Sequence, residues 1–383
     1  MQRYQNFFTE DHFSFRELAT EYAETRLRPI AMEIDETDHF PEDVIYEMAD
    51  MGFFGLKIPE EYGGSGMDIR SYTSVMEEIA KGSSTACVLI SAANSLAAAP
   101  LILYGAEEQK KKYLPGIVDF SAPVAFGLTE PSAGSDAGSL KTRAVKDGDF
   151  YVLNGSKTFI TLAPIAKYAV IFAKTEPDAG VKGITAFMVD MSLPGVSCGK
   201  KEKKMGQKGI PVSDITLEDV RVSKKCMIGE EGKGFINAMK TLDIGRVGVS
   251  SMSLGIAQRA MDITIAYLKE RVQFGKPLAK MQALQFMMAD CEARLNAARC
   301  MLYNTAWLMD NNIPATKDAS MTKYFVTETC QDIVNKCLQM FGGYGYSEEY
   351  EIERLYRDIR VNTIYEGSSQ VQQIVIAGNL FRS

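Results

Sequence analysis

Apolar residues recur at helical spacing through the first 120 positions. Phe15, Leu18 and Tyr22, then Leu27, Ile30 and Ile34, are separated by charged residues, which predicts amphipathic helices. Pro29 is expected to bend or split that stretch, because it offers no N–H to the preceding turn. Pro41-Glu42-Asp43 reads as the first turn of a further helix, and Tyr62-Gly63-Gly64-Ser65-Gly66 as a loop. Helical spacing resumes through Met76, Ile79, Val88, Leu96 and Leu101. From about 121 the texture changes. Tyr168–Ala173 and Ile184–Val189 are short apolar runs of buried-strand type, Ile215, Leu217 and Val220 continue in that style, and Lys146-Asp147-Gly148-Asp149 marks a hairpin turn. After Gly234 helical spacing returns to the end. Met281, Leu284, Met287, Met288, Cys291, Leu295, Ala298 and Leu302 fall on one face over about 30 Å. The pattern predicts an α+β multidomain chain: an N-terminal α-helical domain over 1–120, a middle antiparallel β domain over 121–232 and a C-terminal α-helical bundle over 233–383.

The chain has 383 residues, 46% hydrophobic and 24% charged, with a net charge of −7. Such a balance gives no attraction to nucleic acid or to an anionic membrane surface. No run approaches the ~18 uninterrupted apolar residues of a membrane span. The seven cysteines lack Cys-x-x-Cys spacing, so neither a disulfide framework nor a structural metal site is expected. The start, MQRYQNFFTEDHF, shows no secretory signal pattern. A cytoplasmic setting is expected, or the mitochondrial matrix if a transit peptide has been removed. The two histidines, His12 and His39, are expected to be partly exposed residues near helix ends. Their scarcity moves acid–base chemistry onto carboxylates.

Neither a Gly-x-Gly-x-x-Gly fingerprint nor a Walker A sequence is present, and Gly229–Gly234 reads as a turn. The segment Phe126–Asp136, FGLTEPSAGSD, concentrates small residues and hydroxyls that let backbone N–H groups approach an anion or a planar ring. Four more motifs accompany it: Phe159-Ile160-Thr161, Arg271-Val272-Gln273-Phe274-Gly275, Gln339-Met340-Phe341-Gly342-Gly343 and Tyr365-Glu366-Gly367. In this order and spacing the chain resembles the acyl-CoA dehydrogenase family over essentially its whole length. With Asp243-Ile244-Gly245-Arg246 and Glu366-Gly367-Ser368-Ser369-Gln370, it is most similar to the short-chain and butyryl-CoA branch.

The resemblance implies a C-terminal four-helix bundle, FAD as cofactor and α,β-dehydrogenation of an acyl-CoA thioester. It places Phe126, Leu128, Thr129, Gly134 and Ser135 around the isoalloxazine and phosphates, with Ser135 also near the CoA chain. Phe159 would pack on the flavin and Thr161 would reach toward N5. Arg271, Phe274 and Gln282, with Gln339, Gly342 and Gly343, would hold the pyrophosphate and adenosine across a subunit interface, and Ser368 and Gln370 would complete the cofactor site. Asp243 would line the pantetheine channel, Arg246 would hold the segment bearing the base, and Gly367 would let the chain pass beside the thioester. Glu366 would take the α proton, a task that suits a carboxylate made more basic by burial. The implied partners are the acyl-CoA, an electron-transferring flavoprotein and three further copies in a dimer of dimers, with no metal.

The same site serves an enoyl-CoA reductase working in reverse, and a flavin-free acyl-CoA-binding protein is the alternative of another class. Three local features depart from the family pattern: Leu162-Ala163-Pro164 after Phe-Ile-Thr, Lys208-Gly209-Ile210, and Ser368 in place of Thr. Small residues crowd the helix expected beside the acyl group (Ser91, Ala92, Ala93, Ala97, Ala98, Ala99), which is read either as room for a branched or cyclic acyl chain, with Ser91, Asn94 and Ser95 available to a polar tail, or as close helix packing through small side chains. The basic run Lys200, Lys201, Lys203 and Lys204 reads as a solvated loop.

Overall fold

The computed structural model describes residues 6–381. The N-terminal helices are α1 (Glu10–Tyr22), α2 (Ala31–Thr37), α3 (Glu42–Asp50), α4 (Ile69–Gly82), α5 (Ser84–Ser91), α6 (Ala98–Tyr104) and α7 (Glu107–Val118). Pro29 does split its helix. A π turn at Ala23–Leu27 and a 3-10 turn at Arg28–Ile30 separate α1 from α2. His12 is buried rather than partly exposed: its Nδ1 lies 2.6 Å from the Thr9 hydroxyl and its Nε2 2.9 Å from Asp68 at the start of α4. It therefore ties α1 to α4, while His39 stays exposed. A π turn, Ala92–Ala97, joins α5 to α6. Among the described residues, the run Ser84–Tyr104 alone is long and apolar enough to cross a membrane, but 78% of its apolar window is buried inside the fold. It is a core helix.

The middle domain is a sheet in the order β6-β7-β3-β2-β4-β5-β8, with β1 added beside β4. Its strands are β1 (Val124–Gly127), β2 (Arg143–Asp147), β3 (Phe150–Thr161), β4 (Tyr168–Lys174), β5 (Ile184–Asp190), β6 (Val196–Cys198), β7 (Val212–Ser223) and β8 (Met227–Ile228). Most pairs are antiparallel, as the pattern suggests. β1 and β2 instead pair parallel with β4; neither is joined to β4 by a hairpin, since β3 lies between β2 and β4 in the chain, and β2 and β3 lie between β1 and β4. The β2–β3 hairpin turns at Gly148, whose φ of +60° suits glycine.

The third part opens with α8 (Gly234–Glu270), a helix of 37 residues. It packs on α4 and on α10 (Thr316–Phe341), with α9 (Gln282–Asp310), α11 (Glu351–Ile359) and α12 (Ser369–Leu380) around them. The apolar face of α9 is buried from Cys291 to Leu302, while Leu284, Met287 and Met288 are only half-buried and Met281 precedes the helix. Lys200, Lys201 and Lys203 are solvated as expected. Lys204 turns inward, and its Nζ donates to the carbonyl of Ile210 at 2.6 Å.

Candidate active site

A cavity of about 350 Å³ opens where the three parts meet. Its walls come from α5 and the π turn (Val88, Ser91, Ala92, Leu96), from β1 and the loop after it (Phe126, Leu128, Thr129, Gly134, Ser135), from the end of β3 (Phe159, Thr161), from α8 (Leu242, Arg246, Met252) and from Tyr365-Glu366-Gly367. Phe126–Asp136 is anchored to the sheet by Glu130. This buried carboxylate pairs with Lys157 at 2.8 Å and accepts from the N–H groups of Lys141 and Thr142, and the Thr129 carbonyl accepts from Thr158 N–H. Phe159 sits in a bulge, where the β3–β7 register slips between Lys157 and Ile160. Its φ is +57° and its side chain is 68% exposed. The extra residue turns the ring out of the sheet toward the cavity.

Glu366 has a φ of +53° and stands on the wall. Gln372 and Lys323 hold its turn: Lys323 Nζ and Gln372 Nε2 each donate to the Gly367 carbonyl at 2.8 Å. The carboxylate packs against α8 at a position without a side chain; a Cβ on Gly245 would lie 1.8 Å from Glu366 Oε2. That oxygen is buried and has no hydrogen-bond partner. Burial pushes the carboxyl up to about 7 against the pull of Lys323 and Arg246. The same burial brings Lys323 down to about 8. The chemistry available is a carboxyl group able to take or give one proton near neutrality, facing a walled, largely apolar space.

Two of the expected residues are engaged in pairing. Asp243 is not among the wall residues named above. It lies behind Arg246, accepting from that guanidinium at 2.8 Å and from the Thr316 hydroxyl at 2.7 Å. Arg246 makes its hydrogen bonds to Asp243 and Ser320, so it biases Glu366 through its field while Lys323 and Gln372 do the holding. Asn94 is also spent on structure, bonded to the backbone of Lys57, Phe53 and Ile90. Of the small residues on this helical run, Ser91 and Ala92 reach the wall, while Ala93, Ala97, Ala98 and Ala99 fill helix packing.

The remaining predicted residues lie elsewhere. Ser368 and Gln370 line a second hollow with Glu328, Gln331, Arg360 and Thr363, in which Gln331 Oε1 is buried without a partner. Arg271, Phe274, Gln282, Gln339, Gly342 and Gly343 are outside both hollows, on the surface of the C-terminal helices. There the Arg271 guanidinium sits 5.0 Å from the Tyr344 ring and Phe274 is 92% exposed.

Three matches cover the chain: the acyl-CoA dehydrogenase N-terminal domain at residues 9–121, the middle domain at 125–220 and the C-terminal domain at 232–381. The chain belongs to the acyl-CoA dehydrogenase family. It is an FAD-dependent oxidoreductase of acyl-CoA thioesters. It is 53% identical to the 3-(aryl)acrylate reductase of Clostridium sporogenes, over 98% of this chain and 100% of that one. It is equally 53% identical to subunit CarC of the caffeyl-CoA reductase–Etf complex of Acetobacterium woodii, again over 98% and 100%. Butyryl-CoA dehydrogenase from Megasphaera elsdenii superposes with a TM-score of 0.95 at 41% identity, covering 98% and 99% of the two chains.

The residues present fit the family's cofactor. An outward-turned aromatic ring at Phe159 and hydroxyls at Thr129 and Thr161 suit a planar heterocycle, and the buried, unpartnered Gln331 oxygen marks a second polar hollow. Sequence reasoning missed Gly245 and Lys323. A lysine on the buried stripe Ala319, Val326 and Cys330 of α10 was the available signal for the second.

Proposed function

We propose that the chain interconverts an acyl-CoA and its 2-enoyl-CoA in this cavity, with Glu366 exchanging the α proton, and that its working direction is reduction of an arylacrylyl thioester. The observation that carries the proposal is the Glu366 carboxyl, poised near pH 7 with an unpartnered oxygen against a cavity of about 350 Å³. Near neutrality both of its forms are populated. The acid can protonate the α carbon of an enoyl thioester, and the carboxylate can remove that proton in the opposite direction. FAD, when bound, supplies or accepts the hydride at the β carbon. The chain's own residues do the rest. Lys323 and Gln372 fix the Glu366–Gly367 turn, Gly245 admits the carboxylate, and the walls exclude water so that the proton is exchanged with one group only.

The reductive direction is supported by the two relatives at 53% identity, both named as reductases. Oxidation of a short-chain acyl-CoA is the second reading, favoured by the likeness to butyryl-CoA dehydrogenase. The name of the caffeyl-CoA reductase complex supports an electron-transferring flavoprotein as partner. A homotetramer, built as a dimer of dimers, would cover the exposed Phe274 and Tyr346, and would let the cluster around Arg271 and Gln339 complete a neighbour's cofactor site. The bacterial origin of these two relatives supports a cytoplasmic rather than a mitochondrial setting.

The test is a pair of anaerobic half-reactions followed by flavin absorbance. Photoreduced enzyme should be reoxidised faster by cinnamoyl-CoA than by crotonyl-CoA; the reverse order would defeat the aryl reading. The pH dependence has a definite sign. Reoxidation by an enoyl thioester needs the protonated carboxyl and should decline as pH rises through about 7. Reduction by a saturated thioester needs the carboxylate and should rise through the same range. Profiles flat across that window would remove Glu366 from the proton step.

A further inference from the structure

The cavity runs from an open to a closed end. Ser135 and Asp136 are exposed, and their loop meets α8 at Phe235, since a Cβ on Gly138 would lie 3.9 Å from that ring. Met252, about 25 Å further along α8, is 1% exposed and lines the wall together with Tyr365, the residue before Glu366. What holds these two side chains lies behind the wall, in the β6–β7 loop of the middle domain.

Gln207 is buried there and takes no part in the wall itself. Its Nε2 donates to the Met252 sulfur at 3.6 Å, to Asn362 Oδ1 at 3.1 Å and to the Asp358 carbonyl at 3.2 Å. Asn362, in the turn after α11, accepts at the same oxygen from the Tyr365 hydroxyl at 3.0 Å and donates to Ser253 Oγ on α8 at 2.9 Å. One amide therefore reaches both wall residues, Met252 directly and Tyr365 through Asn362. The loop gives that amide little freedom. Gln207 N–H donates to Asp358 Oδ1 at 2.5 Å, and the Pro211 carbonyl accepts from Leu162 N–H, next to Thr161, at 2.8 Å. Between them the Thr85 hydroxyl on α5 donates to the Lys208 carbonyl at 2.9 Å, and Gly209 N–H donates to Asp38 at 2.7 Å. A Cβ on Gly206 would lie 2.5 Å from the Arg357 backbone, so the chain passes hard against α11. Gln207 itself has a φ of +48°, a conformation costly for a residue with a side chain and kept only where the surroundings enforce it. Lys208-Gly209-Ile210, which departs from the family pattern, follows directly.

We propose that Gln207 is a positioning residue that sets the closed end of the chamber, and with it the length of acyl group the enzyme accepts. This rests on the reading above that the acyl group lies in this cavity. With the amide in place, Met252 and Tyr365 make a fixed floor, and a longer acyl tail must push them aside against hydrogen bonds to buried groups. Without the amide, the Met252 thioether is held by packing alone and, with three rotatable bonds, can swing away. Tyr365 keeps Asn362, but Asn362 loses the donor that orients it from the middle domain. The reacting end is spared, because Lys323 and Gln372 still hold the Glu366–Gly367 turn.

The experiment compares crotonyl-CoA with trans-2-octenoyl-CoA as oxidants of the photoreduced holoenzyme. The readout is kcat/KM for the first divided by kcat/KM for the second, a ratio in which general loss of activity cancels. In Gln207→Met, which keeps the volume and removes the amide, it should fall by about 10-fold from the wild-type value, the lower end of what one methylene of pocket depth is worth. Gln109→Met is the control. Gln109 is equally buried, and its amide donates to the carbonyls of Lys225 and Met227 at 2.8 Å outside the cavity wall, so its loss should leave the ratio unchanged. If Gln207→Met does not fold, Tyr365→Phe, which removes only the hydroxyl that Asn362 holds, should move the ratio in the same direction. A ratio unmoved in the folded variant, or moved as much in Gln109→Met, overturns the positioning role and leaves the acyl reading intact. Failure of both thioesters to reoxidise the wild-type flavin would overturn both.

Discussion

Glu77 and Glu366 are both carboxylates sunk among the same helices, and their surroundings treat them in opposite ways. Glu77, on α4, accepts from Arg299 Nε at 2.8 Å and from the Tyr303 hydroxyl, and has Arg16 within 3.7 Å. Burial alone would raise its pKa, but Arg299 and Arg16 hold it well below the ordinary value. Glu366 is pushed up by the same loss of water, yet its two cations act from positions bonded to other groups, and Oε2 is left unpaired. Pairing makes the first carboxylate a fixed part of the core. Withholding a direct partner makes the second one reactive.

The sharpest way to break the contrast is Glu366→Gln. It keeps the shape and removes the proton exchange, so anaerobic flavin reduction or reoxidation should fall by about 10³-fold, within the range of a lost general acid–base. Flavin content should be unchanged, and a near-normal rate would place the proton step elsewhere. The matching change in the other region is Glu77→Gln, which removes the buried carboxylate that Arg299 and Arg16 share, although Arg16 keeps Glu78. It should cost about 3–5 kcal/mol of stability in urea unfolding of the flavin-loaded enzyme; an unaltered midpoint would mean that the cluster is not structural. A smaller effect is expected from Gly245→Ala. The new methyl must displace the Glu366 carboxylate, so turnover should drop by about 10-fold with flavin still bound. Full activity there would show that the base reaches the α carbon from another rotamer.

Much of the fold was legible because its signals are local. The strands Tyr168–Lys174 and Ile184–Asp190, the Gly148 turn and the break at Pro29 stand where apolar runs, glycine and proline put them. The parallel pairing of β1 with β4 was not legible, since neither strand carries any mark of its neighbour's direction. The same division holds in the site. Glu366 and Phe126–Asp136 announce themselves through motifs, whereas Gly245 matters only because a carboxylate far along the chain folds back onto it. Asp243 pairs with Arg246 at helical spacing on α8, a contact that the sequence spacing does announce. The six residues Arg271, Phe274, Gln282, Gln339, Gly342 and Gly343 line neither of the two hollows described above.

One helix, α8, carries the bare position that seats the proton-exchanging group, Gly245, and, three residues on, a second one, Gly248, against the Tyr72 hydroxyl. The spacing between these two contacts is therefore a property of helical rise, fixed at about 1.5 Å per residue and indifferent to loop motion. A side chain at 248 would meet the Tyr72 hydroxyl at 2.5 Å, whereas Met252 stands on the cavity wall itself, so that trimming it would enlarge the chamber without touching the reacting end.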